Sequence, residues 1–248
     1  MKRAIVYTEE RLRVNGFFAE SLARYLSADL VDESVGEEYD SYIFRCENSQ
    51  KRAFLEERGK SVVNNALTGK IANDKHLSYE LAKELKIPFL PYVLSCDGKG
   101  ISYPCVVKSR FGHGGKEVFW ANDEGEAKTL FSGETLLCQT PSKELGRDVR
   151  VYCLGGKILC AMERCNRKDF RSNFTLGGTC RQVQLPPLLR ESCKKIVAAL
   201  SADFVGVDFI ADGGKFYFNE IEDVVGCRML YSCGIDAAKV FADYLQSK

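Results

Sequence analysis

The sequence predicts a three-lobed α/β protein: a doubly wound α/β lobe over residues 1–72, a small α+β lobe over 73–141, and a C-terminal α+β lobe with an antiparallel sheet over 142–248. Three observations lead there. Short apolar, strand-like runs alternate with helix-periodic ones up to about residue 64, as in a parallel sheet with helices on its faces. A glycine-rich loop between two apolar runs marks the middle of the chain. Farther on, alternating runs meet at Gly155-Gly156 and at Gly213-Gly214, as the strands of antiparallel hairpins do.

In the first lobe, the pattern predicts strands over 3–8, 30–31, 41–45 and 61–64, with helices over 15–26 and 49–58. Arg45 ends the third strand, where an open sheet places ligand contacts, the equal alternative being an ordinary surface arginine. No Gly-x-Gly-x-x-Gly follows the first strand, which argues against the usual dinucleotide site. In the middle lobe, Leu77, Leu81 and Leu85 form one helical stripe over 76–85, capped by Asn73 or Asp74. Lys75 then falls in the first turn, where the helix dipole does not favour a cation. Strands follow at 93–94, 104–108, 117–120 and 135–139, with a helix over 123–131.

At 248 residues the chain can bury a real core. Its 35 basic and 34 acidic side chains leave a net charge of +1, so neither a nucleic acid nor a membrane is expected as a partner. The first residues lack a signal-peptide apolar stretch, and no run approaches the roughly 20 apolar residues of a membrane span. A soluble, cytoplasmic protein is expected. None of the eleven cysteines forms a Cys-x-x-Cys pair, and Cys105, Cys138, Cys153 and Cys160 lie in apolar runs. They read as reduced packing residues. His76 and His113 are too few for a histidine metal site.

Three stretches carry chemistry. An apolar strand ends in Lys108 and enters a loop containing Gly112, Gly114 and Gly115. Such glycines let backbone N–H groups face phosphate oxygens, and the lysine adds a point charge; taken alone, most such loops are merely turns. Next, Asp148, Arg150 and Tyr152 alternate with apolar neighbours, and Arg164, Arg171 and Asn173 follow. Arginines with an amide suit a carboxylate or a transferring phosphoryl group, the alternative being an ordinary charged hairpin. Finally, a loop over 213–215 would pair residues whose numbers sum to 428, setting Asp208 opposite Glu220 with Glu222 on the same face. Phe209, Phe218 and Ile221 would face the interior. Three facing carboxylates repel, and a hard cation, most simply Mg²⁺, relieves this. The alternative is a solvated acidic edge.

Together these motifs resemble an ATP-grasp protein, and residues 73–226 are similar to the ribosomal protein S6 glutamate ligase-like branch of carboxylate–amine ligases. The matching residues are Asp74-Lys75, Val106-Val107-Lys108 before the glycine loop, Arg147-Asp148-Val149-Arg150, Glu163-Arg164, Asp169-Phe170-Arg171-Ser172-Asn173, Gly206-Val207-Asp208 and Glu220-Ile221-Glu222. The resemblance implies ATP held by Lys75, Lys108 and the loop Gly112-His113-Gly114-Gly115, with Gln139 and Thr140 on the adenine side. Asp148, Arg171, Ser172 and Asn173 would line the nucleotide and acyl-phosphate site. Two Mg²⁺ ions, replaceable by Mn²⁺, would sit on Asp208, Glu220 and Glu222. Arg171, Asn173 and Arg228 are the candidate catalytic residues. The implied reaction joins a carboxylate to the amine of an amino acid, a peptide or a protein terminus through an acyl phosphate, and releases ADP. The middle lobe, hinged near Asn73 and Pro141, would close as a lid.

Two positions depart from that branch. Glu222 stands where it has Asn, and Gln139-Thr140-Pro141 lacks its glutamate. These departures keep open a non-catalytic, nucleotide-binding regulatory module.

Overall fold

The computed structural model describes every residue except 96, 113, 116, 131–134 and 173–176. The first lobe runs β1 (Arg3–Val6), α1 (Glu9–Leu26), β2 (Asp29–Val31), β3 (Ser41–Phe44), α2 (Ser49–Glu57), β4 (Ser61–Val63) and α3 (Ala66–Ala72). Its strands form a parallel sheet in the order β2-β1-β3-β4. Helix α1 starts six residues before its periodic stretch, because the Thr8 side chain caps it by accepting from Arg11 N. Asn15 then leaves helical geometry at φ −118°. That kink splits the apolar period in two and hides the first half from pattern reading. Helix α3, absent from the sequence reading, is only seven residues long, too short to show a period.

The middle of the chain runs α4 (Lys75–Glu84), β5 (Tyr92–Ser95), β6 (Cys105–Ser109), β7 (Val118–Ala121), α5 (Glu124–Leu130) and β8 (Leu136–Gln139). The strands form an antiparallel sheet in the order β5-β8-β6-β7. Asp74 is the cap of α4; its carboxylate accepts from His76 N and Leu77 N and is gripped twice by Arg110. Although α4 falls within the span expected for the middle lobe, 73–141, Tyr79 and Ala82 pack into the core of the third lobe.

The third lobe runs β9 (Arg147–Leu154), β10 (Lys157–Cys165), β11 (Thr179–Gln182), α6 (Pro187–Leu200), β12 (Phe204–Asp212), β13 (Lys215–Glu222), α7 (Arg228–Ser232) and α8 (Ala237–Ser247). Its antiparallel sheet has the order β11-β10-β9-β12-β13. One face is apolar: Val149, Val151, Val207, Phe209, Phe218 and Ile221 are buried against Leu189, Cys193 and Ile196 of α6. Each such side chain contributes roughly 1.5–3 kcal/mol. A second core joins the first and third lobes, with Ile5, Phe18 and Leu22 packed with Phe204, Leu230 and Phe241.

The β12–β13 hairpin corrects the expected turn. The turn is two residues, Gly213 and Gly214, with φ of 57° and 75°, both in the region that favours glycine. Asp212 therefore pairs with Lys215, and Phe209 with Phe218. A β-bulge then inserts Asn219, after which Asp208 faces Glu220 and Gly206 faces Glu222. The expected pairing is reached through a shorter turn plus one extra residue. The bulge also turns both Phe218 to the core and Glu220 to the opposite face, which a regular period of two forbids. Among the described residues no helix is long and apolar enough to cross a membrane.

Candidate active site

The polar face of the third-lobe sheet carries a charged lattice set by strand register. Asp148, Arg150 and Tyr152 alternate on β9; Arg150 lies opposite Asp208, which lies opposite Glu220, and Arg164 lies opposite Asp148. Arg150 grips Asp208 through Nε at 2.7 Å and Nη2 at 2.6 Å, and Nη2 also reaches Glu222 at 2.6 Å. Arg164 grips Asp148 at 2.7 and 2.5 Å and adds an Nη2 contact of 2.7 Å to Asp208. Asp208 is completely buried.

These guanidiniums change the electrostatic argument for a cation. Asp208, Glu220 and Glu222 each bring a carboxylate oxygen within 4.8 Å of the others. The three were expected to repel one another bare, yet Arg150 and Arg164 neutralise much of that charge. Burial alone would raise the Asp208 carboxyl, but the two guanidiniums outweigh it and hold it down at about 2. Glu222 is pushed up to about 7, first by desolvation and then by Asp208 and Glu220 beside it, against the pull of Arg150. Three oxygen donors around one point fit Mg²⁺. Glu220, with no ion-pair partner among the described residues, is the least committed of them, and Asp208 is the most committed.

Above this face lies a cleft lined by Lys75, Lys108, Gln139, Thr140, Asp148, Arg171, Ser172 and Glu220, with the apolar Leu90, Val106, Leu145 and Ile210. Lys108, the last residue but one of β6, is 6% exposed, and its Nζ donates to Gln139 Oε1 at 2.8 Å and to Asn219 Oδ1 at 2.7 Å. Desolvation, helped by the Lys75 charge, pushes its ammonium down to about 8. Lys75 donates to Gly112 O, and Arg171 donates to Gly115 O at 2.9 Å, so the glycine loop is tied at both ends to a cation of the cleft. Gly114, at φ 67°, needs the backbone freedom of glycine.

Several expected site residues are placed differently from what the sequence implied. Gln139 lines the cleft, with its side chain bonded to Tyr79 and Lys108. Thr140 N donates to Pro91 O at 2.9 Å. Arg228 does not line the cleft: it is exposed at the start of α7 and approaches Val14 O at 3.5 Å. His113 and Asn173 lie outside the described residues. Asn219 and Tyr79 were not singled out by sequence reasoning, because nothing local marks a bulge residue or the partner of a distant amide.

A hairpin with a glycine loop and a strand-end lysine, set over a sheet face of carboxylates and arginines, is the arrangement that the sequence motifs imply. Residues 94–245 match the model of the RimK-like ATP-grasp domain. The chain belongs to this family. Human N-acetylaspartylglutamate synthase A is 32% identical over 159 residues, covering 61% of this chain and 41% of that protein. The glutamate–LysW ligase ArgX of Sulfurisphaera tokodaii is 24% identical over 213 residues, covering 78% and 76%. The match spans 57% of the length of the Mycoplasma genitalium protein MG011. Among solved structures, a RimK domain ATP-grasp protein from Sphaerobacter thermophilus superposes with a TM-score of 0.75 at 20% identity, covering 98% of this chain and 99% of the other. The D-alanine–D-alanine ligase of Bacillus anthracis, complexed with ATP, superposes at 0.77 and 14% identity, covering 99% and 96%. Both likenesses confirm the ATP-grasp fold.

Proposed function

We propose that this RimK-like ATP-grasp chain is an ATP-dependent carboxylate–amine ligase that works through an acyl phosphate and releases ADP and phosphate. The observation that carries this reading is that Lys108, Arg171 and Glu220 line one cleft. In this reading the cations bind phosphate, and the carboxylates beneath them hold a metal. Lys75 and Lys108 bind the phosphate chain of ATP, and the apolar walls at Leu90, Val106, Leu145 and Ile210 take the base. Backbone groups at 139–141 meet its edge, since the Gln139 side chain is engaged elsewhere. Glu220 and Glu222, with Asp208, would hold Mg²⁺, which neutralises charge on the β and γ phosphates when bound. Arg171 orients the γ-phosphoryl group toward an attacking carboxylate, and closure of the lid keeps water from the acyl phosphate. An amine then displaces phosphate.

The names of the relatives favour an amino acid or peptide as the amine, with glutamate the first to test and a protein terminus the second. The Asn173 role stays a proposal of the family resemblance, and so do the lobe boundaries at 73 and 142. One observation favours a non-catalytic nucleotide-binding module, namely the arginine grip on Asp208. The two readings part in one experiment. Purified protein with ATP, Mg²⁺ and a panel of amino acids and dipeptides should release ADP, and hydroxylamine in place of the amine should trap a hydroxamate. Lys108→Met should abolish both. AMP and pyrophosphate as products would sink the mechanism, and ADP release indifferent to every amine would favour the module.

A further inference from the structure

Lys108 enters the cleft with its ammonium already held by two neutral amides, Gln139 Oε1 at 2.8 Å and Asn219 Oδ1 at 2.7 Å. An ammonium has three N–H bonds, so one remains for the cleft. The amides are themselves locked. Gln139 Nε2 donates to Tyr79 OH at 2.8 Å, which turns the carbonyl end of Gln139 toward the lysine. Tyr79 is completely buried, and its hydroxyl lies 3.5 Å from Asn219 Oδ1. Asn219 is the extra residue of the β12–β13 bulge, between Phe218 in the core and Glu220 in the cleft. A bulge re-aims the residue it inserts, and here that residue meets the lysine.

The charged groups around Lys108 come from four elements: Lys75 of α4, Asp148 of β9, Asp208 of β12 and Glu220 of β13. Asp148 and Asp208 are committed to the arginines. Among the described residues, the hydrogen-bond acceptors of Lys108 Nζ are those two amides. A carboxylate in either place would make an ion pair and spend the lysine's field on the protein itself.

We propose that Asn219 and Gln139, locked by Tyr79, are positioning residues that aim the third N–H of Lys108 at one phosphate oxygen and, being neutral, keep its full charge available to the nucleotide. The site then discriminates by phosphate charge. This rests on the nucleotide-binding reading above.

The test is titration of the full chain with Mg²⁺-ADP and, separately, with adenosine between pH 7 and 9.5, for wild type, Asn219→Asp and Asn219→Leu, with circular dichroism confirming the fold. Asn219→Asp is nearly isosteric and adds one negative charge 2.7 Å from the ammonium. It should weaken ADP binding at pH 7 at least tenfold and leave adenosine binding within twofold. In wild type, ADP affinity should fall as pH rises through about 8, where Lys108 loses its proton. In Asn219→Asp that fall should move up by a pH unit or more, because the new carboxylate holds the proton. Asn219→Leu should weaken ADP severalfold without affecting adenosine. Variants that bind ADP as wild type does, with the same pH profile, would overturn the proposal and leave Asn219 as bulge packing. Equal weakening of ADP and adenosine would overturn it in favour of a structural role. Wild type that binds neither ligand would remove the nucleotide reading itself.

Discussion

Asp208 and Glu220 face each other across one strand pair, yet their neutralisation should have opposite consequences. Asp208 is completely buried, and its oxygens meet Arg150 at 2.6 and 2.7 Å and Arg164 at 2.7 Å. Removing one partner of a buried ion pair costs roughly 3–5 kcal/mol; because Asp148 and Glu222 still face these arginines, the lower end applies, and Asp208→Asn should lose about 3 kcal/mol. Linkage gives a similar size: lowering the carboxyl from 3.8 to about 2 stabilises the fold by about 2.5 kcal/mol. The folded-state value is depressed, so this contribution is complete above pH 3.8 and lost as pH falls through about 2. In a chain of 248 residues, a loss of about 3 kcal/mol lowers Tm by about 9 °C. Glu220→Gln removes a charge that faces two other carboxylates and should leave Tm within about 2 °C or raise it. Thermal unfolding followed by circular dichroism, without nucleotide or Mg²⁺, measures both at pH 7, and an acid series tests whether Asp208→Asn flattens the low-pH limb. An Asp208→Asn variant melting with wild type at pH 7, or a Glu220→Gln variant falling as far, would refute the lattice argument.

Two further outcomes follow from the same geometry. Lys108 sits at about 8 against an ordinary 10.5, so between those values the unfolded chain binds the extra proton and stability should rise with pH, by up to about 3 kcal/mol; subtracting the profile of Lys108→Met in urea unfolding isolates that slope, and a flat difference would show the ammonium to be well solvated. Glu222→Asn should keep turnover while raising the Mg²⁺ concentration needed for half-maximal rate severalfold, since an amide oxygen can still coordinate with one charge fewer; complete loss of turnover with unchanged ADP binding would move Glu222 into contact with the substrate.

Much of this protein is written in short-range pattern. Alternation along β9, β12 and β13 separates a charged face from an apolar one, because successive strand residues point to opposite sides of a sheet. The glycine pairs mark both hairpins because only glycine takes positive φ there at no cost. Asp74 was recognisable as a cap, Lys108 as a strand end beside a glycine loop, and the order of the motifs as that of ATP-grasp proteins. The pairing of Asp208 with Glu220 was also legible, but by an argument in which a turn one residue too long stood in for an unseen bulge. What tertiary structure alone decided are the contacts made between elements far apart in the chain. Arg164 reaches Asp208 across 44 residues, Gln139 donates to Tyr79 across 60, and Asn219 meets Lys108 across 111. Arg228 goes to the first lobe instead of the cleft. A single sequence carries periodicity and turn chemistry locally, whereas which guanidinium meets which carboxylate, and which amide a buried lysine must use, is fixed by how three sheets stack and by the rule that buried polar groups find partners.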